Sequence, residues 1–157
     1  MPTPDHAVLD HPQAVSAADV ALVRRTFDLT VPIAGVAADL FYERLFYLAP
    51  SLRRMFPDDM RDQKRKLIVM IATAVQSLDD LDALGPQLAA LGARHAGYGV
   101  TTAHYQLVGE VLMWTLERGL ASDFTPDVQR AWRGVYGLIA ATMQAGAAEA
   151  AVMQAAE

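Results

Sequence analysis

The sequence predicts an all-α fold of six to eight helices of uneven length. Apolar residues recur at steps of three and four along most of the chain, the spacing that lines one face of a helix. No segment shows the two-residue alternation of a half-buried strand. Helix-start signals, a serine or threonine cap or a proline, stand ahead of several of the periodic runs. The unequal lengths of those runs fit a simple four-helix bundle poorly.

In order along the chain, residues 1–15 carry three prolines and no helical period, so they are expected to form a flexible tail. Ser16 and Asp19 make a capping-box pattern ahead of "AADVALVRRTF". Pro32 suits the first turn of a helix that runs through "IAGVAADLFYERLFYL". Pro50 opens a short turn, "PSLRRMF", closed by Pro57 to Asp59. From Met60 a 3.6-residue period puts Met60, Gln63, Leu67, Met70, Ile71 and Ala74 on one face. Ser77 with Asp80 caps a short segment. Pro86 then starts a separate helix whose buried stripe reads Leu88, Leu91, His95 and Tyr98, with Gly97 and Gly99 to end it. Thr101 or Thr102 caps the next helix, with Tyr105, Val108, Leu112 and Leu116 on one side. Thr125-Pro126 opens the last, whose stripe is Val128, Trp132, Val135, Ile139 and Met143. The alanine-rich end is expected to be helical and partly exposed, with 151–157 counted as a C-terminal tail and 16–150 as the one domain.

Composition narrows the function classes. The 157 residues suit a single domain, and 53% hydrophobic content is enough for a sizeable core. A net charge of −5 argues against a nucleic-acid partner. The absence of cysteine excludes disulfides, thiolate catalysis and zinc ribbons. No apolar run approaches the roughly 20 residues that cross a bilayer, and "MPTPDHAVLDHPQ" lacks the pattern of a secretion signal. No membrane partner and a cytoplasmic location are therefore expected.

Four residues stand out as candidates for chemistry. His95 lies on an apolar stripe, where it reads either as a core histidine satisfied by one hydrogen bond or as a metal or haem ligand. Haem needs one protein ligand and zinc three or four, so a cysteine-free chain with four histidines suits haem better. Gln63 is a lone polar residue on its face, explained equally by a solvent-edge position. Tyr42 and Phe56 read as core packing or as walls of a pocket.

Their combination is more specific. The stretch from Tyr42 through "RRMF", "DQKRKL", "RHAGYGV" and "AHYQLVGE" to "AWRGVYGLIA" resembles bacterial single-domain haemoglobins and the globin domain of flavohaemoglobins, over roughly residues 16 to 147. The resemblance implies a globin fold around haem b. It makes His95 the proximal iron ligand and Tyr42 and Gln63 the distal polar residues. Phe56 then stacks on the porphyrin, Leu67 and Phe46 keep the distal side dry, and Tyr105 lies near the proximal ligand. Tyr98 and Val100, both in "RHAGYGV", join the haem-binding set, and Lys66 is placed at the rim to pair with a haem propionate. His104 becomes a neighbour of the pocket without iron.

Iron held by one imidazole keeps an open coordination position. A phenol or amide donor beside it favours a polar ligand by roughly 1.5–3 kcal/mol. With glutamine at the distal position, a five-coordinate ferrous iron that binds O2 and NO is expected. Two departures from the family follow. The glutamate that makes the proximal imidazole more basic in flavohaemoglobins falls on Ala147, and Glu149 lies about 200° further round the helix. The second N–H of His95 is therefore expected to meet a backbone carbonyl, that of Leu91. No segment remains for a flavin reductase, so nitric oxide dioxygenase activity would need a separate reductase. The alternative is a haem-based gas sensor or redox relay acting through a partner protein, and a third reading is a cofactor-free interaction module. A monomer and a homodimer fit the sequence equally.

Overall fold

The computed structural model describes residues 15–156. The expected N-terminal tail, with His6 and His11, lies outside them apart from Val15. Six α-helices follow one another: α1 (Ala17–Thr30), α2 (Ala34–Leu48), α3 (Arg61–Gln76), α4 (Leu81–Gly97), α5 (Thr102–Leu120) and α6 (Pro126–Ala155). Short 3₁₀ segments lie at Val31–Ile33, Pro50–Met55 and Ala121–Asp123, and there is no strand among the described residues.

The caps are those the residue chemistry dictates. Ser16 Oγ accepts from the Asp19 amide at 3.1 Å while the Asp19 carboxylate accepts from the Ser16 amide at 3.3 Å. Thr125 Oγ1 accepts from the Val128 amide at 3.3 Å, with Pro126 as the first helical residue. Both pairs satisfy amides that the first turn of a helix leaves without carbonyl partners. Residues 151–155 continue α6 as an exposed helical end.

Two expected boundaries are wrong: Ser77 caps no segment of its own but follows the end of α3, and the start of α4 lies elsewhere. Pro86 does not start a helix; α4 begins five residues earlier, capped by the Asp80 carboxylate on the Ala83 amide at 3.3 Å, and runs through Pro86. A proline in the second turn removes one amide bond, but the cap and the burial of Leu84 hold the turn ahead of it.

Three apolar clusters fill the interior. The largest joins Val23 of α1 and Val75 of α3 to Met113 and Leu116 of α5 and Val128, Trp132 and Val135 of α6. There the buried Trp132 Nε1–H donates to Thr26 Oγ1 at 2.9 Å, tying α6 to α1 across the core. A second cluster groups Phe41, Tyr42 and Leu45 of α2 with Leu52 and Val111. The third joins Leu84 and Leu88 of α4 to Met143 of α6. Arg24 of α1 donates to the last carbonyls of α3, Val75 at 3.3 Å and Gln76 at 3.1 Å, so a cation closes the end of that helix. Helix α3 thus packs on α1 and α2, while α4 packs chiefly on α6, and the two make no extended contact with each other.

Candidate functional site

The α2–α3 wall is built from aromatic side chains. Tyr42 is 4% exposed, and its ring meets Phe41, Phe46 and Phe56 at centroid distances of 5.1, 5.9 and 5.6 Å. Phe46 and Phe56 pack edge to face at 5.4 Å, an arrangement the ring quadrupoles favour. Phe56 closes the turn after Pro50–Met55, and Arg53 holds that turn in shape. Its guanidinium donates to the carbonyls of Phe56 (3.3 Å), Pro57 (2.9 Å) and Asp58 (3.0 Å) and lies 5.4 Å from the Phe46 ring centre. Arg53 is a support the sequence reading passed over, although an arginine just ahead of a Pro-Asp turn is the donor such carbonyls need.

Gln63, on the second helical position after Arg61, reaches into this wall. Its Nε2–H donates to the Tyr42 hydroxyl oxygen at 3.1 Å. The phenol accepts that bond, so its own O–H remains free to donate elsewhere. Burial raises the Tyr42 pKa from its ordinary 10.0, with the Gln63 bond lowering it in part, so the group is a protonated donor at neutral pH. Leu67 and Met60 flank the same cluster, half-buried. The structure therefore brings Tyr42, Gln63, Phe46, Phe56 and Leu67 together.

The α4–α6 wall carries His95, half-buried in the last turn of α4. Its Nδ1 lies 2.8 Å from the Leu91 carbonyl oxygen, the partner expected from the sequence. A carbonyl only accepts, so Nδ1 carries the proton and Nε2 keeps a free lone pair. Among the described residues no three His, Asp or Glu side chains group to hold an ion.

One residue of the expected set sits differently, and Lys66 and His104 have their own surroundings. Tyr98 was placed on the buried stripe, but it follows the end of α4 and is 67% exposed, its ring edge-on to His95 at 6.2 Å. Gly99, at φ 87°, turns the chain directly after Tyr98. Lys66 is exposed and makes no ion pair among the described residues. Lys64 makes the pair instead, with Asp39 of α2 at 2.9 Å. His104 is a cap: its Nδ1 accepts from the Thr101 amide at 2.9 Å and its own amide donates to Thr101 Oγ1 at 3.4 Å.

Val100 and Tyr105 line a cavity of about 400 Å³ between α4, α5 and α6, together with Gly92, Gln144 and Ala147. The Tyr105 hydroxyl is buried with no hydrogen-bond partner, and burial raises its pKa. Ala147 is the position at which the resemblance implies a glutamate. Its methyl side chain lines the same space as the unpartnered phenol.

These features fit a haem. One imidazole offers Nε2, and α2, α3 and α5 carry half-buried apolar side chains around the Tyr42–Gln63 donor pair. Comparison with known proteins agrees. The globin family model matches residues 39–143, and the chain belongs to the globin family. It is 31% identical over 121 residues to neuroglobin-2 of Oncorhynchus mykiss, covering 68% of this chain and 76% of that one. Neuroglobin of Tetraodon nigroviridis is 27% identical over 148 residues, covering 85% and 93%. Among solved structures, an engineered carbene transferase, RmaNOD, made from a candidate nitric oxide dioxygenase of Rhodothermus marinus, superposes with a TM-score of 0.80 at 25% identity, covering 90% of this chain and 99% of that one. Membership of the family implies haem and the binding of O2 or a similar diatomic ligand. No helix among the described residues is long and apolar enough to cross a membrane.

Proposed function

We propose that the protein holds haem b through His95 Nε2 and binds O2 or NO on the side of Tyr42 and Gln63. The observation that carries this reading is the Gln63–Tyr42 hydrogen bond at 3.1 Å, which leaves the phenol proton unspent. Haem supplies, when bound, a ferrous iron with one open coordination position. The chain's own side chains do the rest. His95 is kept in one tautomer by Leu91, so a single nitrogen is presented for ligation. Tyr42 donates to a polar diatomic ligand, and the amide bonded to its oxygen polarises the O–H further. Phe46, Phe56 and Leu67 exclude water from that donor.

With O2 held in this way, the chain would carry out nitric oxide dioxygenation, in which NO, O2 and one electron give nitrate. A separate reductase supplies the electron. Among the described residues no carboxylate bonds Tyr105 or His95, so His95 is polarised by a backbone carbonyl, and the reaction is expected to be modest in rate. The test is a visible spectrum of the purified protein with and without added haemin, followed by NO consumption under reductant and O2. A Soret band at one haem per chain and steady NO loss support the reading. A chain that stays colourless with haemin overturns it. Haem uptake without NO consumption leaves ligand binding and removes the dioxygenase step.

A further inference from the structure

Gly92 and Gly146 lie where α4 crosses α6. A Cβ on Gly92 would overlap the main-chain oxygen of Met143, and a Cβ on Gly146 would overlap the main chain of Ala89. Both glycines are buried. The contact is backbone on backbone, made from each helix toward the other. Glycine inside a helix costs roughly 1 kcal/mol relative to alanine, so close approach is what these positions gain. Gly85 and Gly97 of the same helix have nothing within 4 Å of such a methyl.

This crossing decides where α4 lies, because α6 is its principal packing partner. Beside it the cavity of about 400 Å³ reaches Gly92, Ala96 and Ala147, so side chains do not brace α4 on that flank. His95 follows Gly92 by three residues, and the carbonyl that accepts from its Nδ1 is that of Leu91. The peptide unit joining Leu91 to Gly92 therefore does two things. Its oxygen orients the imidazole, and the Cα at its other end rests on α6.

The geometry points to the close α4–α6 crossing, where Gly92 faces the Met143 backbone and Gly146 the Ala89 backbone, as the device that positions the proximal imidazole: the α6 main chain sets, through the Leu91–Gly92 peptide, the orientation of His95. The inference rests on the reading of His95 as the haem ligand. Gly92 and Gly146 are positioning residues, acting through His95. An added methyl at Gly92 lifts α4 from α6, moves the Leu91 carbonyl and releases the ring from its single tautomer.

Two readouts test this: ¹⁵N resonances of the histidine side chains in the haem-free full chain, and haemin transfer to an apo-acceptor protein from the loaded chain. Wild type should show His95 protonated at Nδ1. Gly92→Ala should give a mixture of tautomers and lose haemin about ten-fold faster, as expected when a group orienting a ligand is displaced. Gly146→Ala should act in the same direction and carries the test alone if Gly92→Ala does not fold. Gly85→Ala, and Val128→Ala as a purely core-destabilising variant, should leave the His95 resonances at wild-type values. Unmoved His95 resonances in a folded Gly92→Ala or Gly146→Ala chain overturn the inference, as does an equal response in Val128→Ala. If the wild type takes up no haemin yet its His95 resonances respond to Gly92→Ala, the positioning stands and the haem reading falls.

Discussion

The two walls of the site are made in opposite ways. The α2–α3 wall is side chain on side chain: four aromatic rings, a phenol and an amide, with Arg53 bracing the turn that delivers Phe56. The α4–α6 wall has main chain on main chain at its crossing, two glycines beside the Leu84–Leu88–Met143 cluster, and a carbonyl holding the imidazole. A wall of large side chains can lose one group and keep its shape, because its neighbours still fill the space. A crossing of backbones has no such reserve. The difference teaches that the α4–α6 side should govern whether haem is held, and the α2–α3 side what happens to the ligand once it is.

The largest expected effect is therefore on the α4–α6 side. His95→Ala removes the single nitrogen offered to iron and leaves the Leu91 carbonyl without its donor. The variant should fold, since His95 belongs to none of the three apolar clusters, and should purify without a Soret band. A variant that keeps a normal band places the ligand elsewhere and erases the contrast between the walls.

On the opposite wall the expected change is smaller and of another kind. Tyr42→Phe keeps the ring among Phe41, Phe46 and Phe56 and deletes only the hydroxyl. Haem content should be unchanged, while O2 release from the ferrous protein speeds up by about ten-fold, the size of one lost hydrogen bond to a charged acceptor. Stopped-flow release at the wild-type rate would take Tyr42 out of the distal role. Loss of haem in this variant would show that the two walls share the work of retention.

The same contrast explains how much was readable in advance. The α2–α3 wall was legible because its parts are large and distinctive and because the resemblance to bacterial globins assigns Tyr42, Phe56 and Gln63 to one side of the haem; periodicity alone explains each as ordinary packing or a boundary position. The caps at Ser16, Thr101 and Thr125 were legible because short polar side chains at helix starts have few other uses. The α4 start was missed because Pro86 was weighed above Asp80, when the proline sits in the second turn and the aspartate supplies the cap. Tyr98 falls off the stripe because the helix ends at Gly97, one residue before it. Gly92 and Gly146 left no periodic signal, since what they contribute is the lack of a side chain. The clue available was the cost of glycine inside a helix, and it names no partner.

A pH series sharpens the α2–α3 half of the comparison. Tyr42 can donate only while protonated, and its pKa lies above the ordinary 10.0 because burial outweighs the Gln63 bond. The donor is thus present through neutral pH and is lost as pH rises through the shifted value. Wild-type O2 release should be flat from neutral pH to about pH 9 and accelerate at higher alkaline pH, toward the rate of Tyr42→Phe, which should show no such step. A step below pH 9 in the wild type would mean that another group controls release.

The smallest effect belongs to the rim, where both walls meet solvent. Lys66 is exposed and unpaired among the described residues, and any attraction to a haem propionate would act through water. Lys64, one turn from the rim of the α2–α3 wall, pairs with Asp39 at 2.9 Å, with side-chain exposures of 34% and 62%. Exposed pairs contribute roughly 0–1 kcal/mol, so Lys66→Ala should change haemin loss by less than about five-fold and Lys64→Ala should shift thermal stability slightly with haem loss unaltered. If Lys66→Ala instead releases haem as fast as Gly92→Ala, retention depends on rim charge as much as on the helix crossing. Raising the salt concentration separates the two, because it weakens a rim pair and leaves a backbone contact untouched.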